Sequence, residues 1–218
     1  MQTRVIDSPV LLAGTESLKK GIWPTSKPLW LAAIYVFFFI IRPWDQLFPW
    51  MATIHFERLY FIFMLIVLFF SQDKQPVPRS SVVVAVVLFL ISVGLSGKFA
   101  YDPSLSWDSF YVYLTLVIFF FVLLMVIRRP YDLVFLIISY IATMAVYLAK
   151  SQWEFFVHGQ HRYDMGVVRM VGIESVFGGP NSLAMSIVVS LPMWVFLWTN
   201  RQNIISTWPK FYKKWFPR

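Results

Sequence analysis

The chain has no cysteine among its 218 residues, so a disulfide scaffold and a thiolate-held metal centre are both excluded. Charge is scarce as well. Asp, Glu, Lys and Arg make up 14%, where a soluble domain carries about 25%. No internal repeat, low-complexity tract or alternating β-barrel pattern runs through it. What fills the space is apolar: 58% hydrophobic and 19% aromatic residues, with Phe the commonest bulky type at 22 copies. That balance excludes an ordinary cytosolic globule, a disordered chain and a collagen-like one.

No charge occurs in 80–97, 109–127, 133–149 or 175–200. Runs of that length, filled with Phe, Leu, Ile and Val, read as helices crossing a bilayer, because lipid offers the backbone no hydrogen-bond partner. Spans are expected at about 81–97, 107–127, 131–149 and 181–199. Two more are expected around 28–47 and 54–71. Their charge-free windows, 28–41 and 59–72, cover only about 21 Å each against a hydrocarbon core of about 30 Å. Either both helices run on past Arg42 and Glu57–Arg58 with snorkelled side chains, or they form a short hairpin. Pro192 inside the last span should kink it and free the carbonyl of Val188.

The expected fold class is an all-α membrane protein of about six transmembrane helices, with both termini inside and one longer outer loop. The basic residues set the orientation. With the N-terminus inside, 13 of the 19 Lys and Arg fall on inner segments and 6 on outer ones. The chain then divides into a cytoplasmic segment 1–27, a transmembrane domain 28–199 with an outer loop at about 150–180, and a basic cytoplasmic tail 200–218. The apolar run Pro9–Ala13 is too short for the core of a cleavable signal peptide, so the first span is expected to serve as an uncleaved signal anchor. Trp30, Trp44, Trp50, Trp107, Trp153 and Trp198 sit near span ends, where an indole keeps its ring in the interface. The net charge is +8, but the aromatic and basic tail Trp208–Arg218 follows a span directly. It reads as a segment lying on an anionic inner leaflet, with membrane lipid as partner and no nucleic acid.

The segment 150–180 is the one place with room for chemistry. Asn181 falls just before the apolar body of the last run and reads as an N-cap, with Gly178, Gly179 and Pro180 before it. A helix start carries unpaired N–H groups and about half a positive charge. Arg162 and Arg169 lie upstream. Together they make a cradle for a phosphate or diphosphate, or else Asn181 merely caps a helix while the arginines meet solvent and headgroups. The spacing Glu154, His158, His161, Asp164 offers a helical face of metal ligands, an acid–base pair or simply a wet polar face; no metal site and no cofactor are expected. Arg42-Pro43-Trp44-Asp45 and Glu57-Arg58 sit at membrane depth, where ionisable groups are costly and are paired, functional or snorkelled. Asp108 and Asp132 are read as carboxylates opening helices.

These residues carry a resemblance. Arg42-Pro43-Trp44 with Pro49-Trp50, and Arg169-x-x-Gly172 followed by Pro180-Asn181-x-Leu183-Ala184 opening a span, resemble the N-terminal half of the O-antigen ligase and polymerase family of bacterial multi-spanning glycosyltransferases. The gap between Gly172 and Pro180 is longer here than in the family's motif. The family has about twice as many spans, with a His-bearing outer loop and an arginine motif that nothing here matches. The expectation is therefore a fragment, a split gene or a degenerate member.

The resemblance implies a multi-pass protein of the bacterial inner membrane and metal-independent transfer of a polyprenyl-diphosphate-linked glycan in cell-envelope polysaccharide biosynthesis. Arg162, Arg169, Gly172, Pro180 and Asn181 would serve the diphosphate. A second chain or downstream half would supply the base, and the catalytic residues are unknown. The competing expectations are a non-catalytic membrane scaffold and a transporter subunit. Against the latter, the four clear spans hold no core charge and no inverted halves are evident.

Overall fold

The computed structural model describes residues 26–45, 48–164, 166–172 and 177–206. The N-terminal segment, the tail from 207 onward and Glu174 in the outer segment lie outside the described residues.

The described chain is mostly helical. Helix α1 spans Lys27–Ile41, a 3-10 turn Pro43–Asp45, α2 Pro49–Thr53, α3 Phe56–Phe70, α4 Ser81–Lys98, α5 Pro103–Val126, and α6 Pro130–Val157. A hairpin of β1, His161–Asp164, and β2, Val167–Met170, follows; α7 is Pro180–Thr199 and α8 Arg201–Ser206. Helices α4, α5, α6 and α7 are long and apolar enough to cross a membrane. Only 6% of the α4 window is buried, so its apolar side chains face outward, as they do in lipid. This is a membrane protein.

Local chemistry sets the helix ends. The Ser80 hydroxyl accepts from the Val83 amide at 3.3 Å and caps α4. Asp102, followed by Pro103, caps α5: its carboxylate accepts from the Ser104 hydroxyl at 2.6 Å and from the amides of Ser104 and Leu105. Those bonds hold the Asp102 carboxyl below its ordinary range, the Ser104 hydroxyl contributing most. Asp108, expected at the helix start, instead lies in the second turn of α5. Asp132 does open α6. It is buried and accepts from the amides of Arg128 and Arg129 at 3.1 and 2.9 Å, while the Arg129 guanidinium closes on it at 3.0 Å.

Helix α1 stops short of Arg42, α3 runs on through Arg58 and Glu57 to Phe56, and the two form a short hairpin. Each has 15 residues, or about 22 Å. Helix α1 stops because Arg42 turns left-handed at φ 44°, its amide closing on the Phe38 carbonyl, and Pro43 cannot continue a helix. Helix α3 starts behind a second left-handed residue, His55 at φ 51°. A non-glycine residue there costs about 1–2 kcal/mol, which the surrounding packing must offset. Helix α7 runs unbroken through Pro192 to Thr199.

Helix α1 is the hub. Leu29, Ala32, Ala33 and Tyr35 pack with Met64 and Leu68 of α3, Val122 and Val126 of α5, and Leu136 of α6. Ala32 and Ala33 are small enough to let neighbouring backbones close in. Further along, Ile40 and Ile41 meet Met144 and Tyr147 of α6 and Leu183 of α7. Thus α1 and α6 run parallel, and the start of α7 shares an end of the bundle with Arg42. The link at 71–80 sits at the opposite end, where the Gln75 amide donates to the Met125 carbonyl at 2.8 Å and Asp73 pairs with Arg128 at 3.0 Å. Hydroxyls inside the helices satisfy themselves on the preceding turn, as Thr115 does on the Tyr111 carbonyl at 2.9 Å and Thr143 on Ser139 at 2.7 Å.

Candidate functional site at the hairpin end

Helix α6, at 28 residues or about 42 Å, is longer than a hydrocarbon core of about 30 Å. The expected fifth span ended at 149, but a helix satisfies its own amides and continues, so the stretch to Val157 extends the helix where loop was expected. The rest of the expected outer loop folds as an antiparallel hairpin. Asp164 pairs with Val167, so only two positions link the strands, and Gly166 takes φ 79°, a conformation that glycine accommodates without strain. The signal was present in the sequence as a glycine followed by two β-branched residues, Val167 and Val168.

The hairpin brings the two arginines together. Arg162 and Arg169 are direct cross-strand partners, so both project from the same face. Arg162 is exposed and Arg169 half-buried. Next to Arg169, Met170 packs onto the cluster of Ile40, Ile41, Met144, Tyr147 and Leu183, and Phe177 packs there too. Since Leu183 lies in the first turn of α7, that cluster ties β2 to the start of the helix.

Gly172 is buried where β2 leaves the hairpin. A Cβ on it would run into the Tyr147 hydroxyl and the Phe177 carbonyl. The need for glycine here is therefore close backbone packing. The Tyr147 and Phe177 rings stand edge to face at 5.6 Å and complete the contact. Pro180 is the first residue of α7, a position that needs no amide donor. Asn181 corrects the expectation. Gly179 occupies the N-cap, no side chain caps the helix, and Asn181 is the second helical residue, exposed. Proline's fixed φ lets it open the helix one residue earlier than Asn181, so the asparagine loses the extended backbone a cap requires.

The acidic and imidazole residues do not converge. His158 Nδ1 meets Glu154 Oε2 at 2.6 Å on the last turn of α6, while His161 Nδ1 turns to the Gly159 carbonyl at 2.5 Å. The helical face imagined through His161 and Asp164 breaks because the helix ends at Val157 and β1 begins at His161. Among the described residues no three His, Asp or Glu side chains gather as a metal site.

The same end of the bundle holds a second polar cluster. Arg42 and Glu57 pair at 3.9 Å, beyond hydrogen-bonding reach, each about a quarter exposed. The Arg58 guanidinium lies over the Tyr111 ring at 5.5 Å, which links α3 to α5. These groups line a cavity of about 670 Å³ together with Tyr35, His55 and Thr115. Sequence spacing singled out Arg42, Glu57 and Arg58 but not Tyr111, which sits mid-run among apolar residues with nothing local to mark it. Trp44, expected in the interface, is instead buried between Phe38 and Phe56 at 5.8 and 5.7 Å. Trp50, Trp107, Trp153 and Trp198 are exposed near helix ends.

No family model, curated protein or solved structure matches the chain.

Proposed function

We propose that the chain is a six-span protein of the bacterial inner membrane, with both termini inside. At its outer face it would hold the diphosphate of a polyprenyl-linked glycan, as part of an O-antigen ligase- or polymerase-type transfer. One observation carries the reading: Arg162 and Arg169 are cross-strand partners on a hairpin packed beside the start of α7. Two guanidiniums on one face provide paired donors for phosphate oxygens, and the helix start adds amides and a positive dipole end. In a transfer reaction that arrangement stabilises the departing diphosphate. Gly172 keeps the strand exit tight against α6, and Pro180 fixes where α7 begins. A second chain or downstream half would bring the base that activates the acceptor hydroxyl. The basic-residue balance supports the orientation, and α1 with α3 forms the short pair of the six spans.

The test is binding of a polyprenyl-diphosphate glycan by the full chain in nanodiscs at low salt. Arg169→Ala should weaken it about tenfold, the scale of one charge-assisted hydrogen bond. Equal binding by variant and parent overturns the reading.

A further inference from the structure

We infer that the cavity between α1, α3 and α5 is a binding site for an anionic lipid of the surrounding bilayer. One hydrocarbon chain would lie inside it, with the phosphate at the Arg42–Arg58 end. This site is separate from the hairpin arginines. Tyr35 and Phe39 of α1, and Arg42 just beyond its end, line the cavity, while the neighbouring Ile40 and Ile41 pack toward α6 and α7 on the hairpin side.

Three observations select the occupant. The first is the lining. Below the charged end the walls are apolar, with Phe39, Phe61, Leu65, Leu114 and Ile118 among them, and the volume of about 670 Å³ is that of a pocket for a sizeable organic ligand. The second is the opening. Ile62, Tyr111, Val112 and Leu116 line the cavity and are each about half exposed, so the gap lies between α3 and α5 on an apolar flank. A ligand entering there comes from the hydrocarbon layer. The third is the charge. Among the described lining residues, the two guanidiniums of Arg42 and Arg58 stand at one end with one carboxylate, Glu57. The Arg58 guanidinium lies over the Tyr111 ring at 5.5 Å, which holds a planar, permanently charged group that suits phosphate oxygens at this end of the cavity. A neutral hydrocarbon would fill the walls but offer no acceptor to the Arg58 guanidinium.

The test uses Trp44, which lines the cavity and is buried. The full chain is reconstituted in phosphatidylcholine vesicles doped with chain-brominated phosphatidylglycerol, whose bromines quench indoles on contact. Quenching should contain a component that saturates at low mole fraction and disappears in Trp44→Phe. Chain-brominated phosphatidylcholine should lack it. Arg58→Gln should weaken it about fivefold, the share of one basic residue at an anionic headgroup. Val112→Phe, which narrows the opening, should remove it with helicity by circular dichroism unchanged. Inorganic phosphate at millimolar levels should not compete, which separates a lipid from a free-phosphate site. Equal quenching by both brominated lipids, or a saturating component untouched by Arg58→Gln and Val112→Phe, overturns the inference, and so does displacement by phosphate alone. None of these outcomes depends on Arg162 or Arg169, so failure here leaves the diphosphate reading standing, and the reverse also holds.

Discussion

Arg162 on β1 and Arg169 on β2 stand directly opposite each other, two like charges on one face of a four-residue-per-strand hairpin. Like charges in that position destabilise a strand pair by about 0.2–1 kcal/mol. An anion shared between them reverses the sign.

The hairpin should therefore be looser alone than with a diphosphate. Arg162→Thr is expected to slow amide exchange in β1 and β2 without ligand and to abolish the extra protection that a short-chain polyprenyl diphosphate gives the parent. Hydrogen exchange read by mass spectrometry checks both. Unchanged parent protection on adding the diphosphate counts against the shared-anion geometry.

Gly172→Ala should cost about 1–3 kcal/mol, because the new methyl meets the Tyr147 hydroxyl and the Phe177 carbonyl. Thermal unfolding in detergent measures it. Adding Tyr147→Phe removes one of the two obstructing atoms, so the double variant should recover part of the loss. The Phe177 carbonyl remains in the way, so recovery should be incomplete.

Asp132→Ala should destabilise the start of α6 by about 1–3 kcal/mol, since two backbone amides and the Arg129 guanidinium lose their acceptor in a buried position. Asp132→Asn keeps one carbonyl oxygen and should cost less. Denaturation midpoints of the two variants rank the effect, and equal midpoints argue against the cap.

Titration of Asp102 gives a pH test. Its folded pKa is lowered by the Ser104 hydroxyl and the adjoining amides. The cap's contribution to stability is thus complete above the unfolded carboxylate pKa of about 4 and fades as pH falls through the lower folded value. Amide exchange at Ser104 and Leu105 should accelerate, relative to the rest of α5, only at acidic pH. Ser104→Ala should move that onset upward.

Orientation is open to reporter fusions. A fusion at Gly159 is expected to report outside and one at Arg218 inside. The opposite pattern overturns the charge argument.

The sequence by itself determined the membrane class and the long helices. Uninterrupted apolar runs leave the backbone one way to bond in lipid, and that constraint is local. The start of α6 was readable to within a residue or two for the same reason, since Asp132 acts on amides close by in the chain. Asn181 was misread because Pro180 beside it also opens a helix, and the proline's fixed φ prevailed. Only the tertiary structure decided what lies far apart in sequence: that Arg162 meets Arg169, that Gly172 admits Tyr147 and Phe177, and that Arg58 reaches Tyr111 across a cavity. Those contacts depend on which helix faces pack together, and faces that are apolar all round carry no pattern that points to their partners.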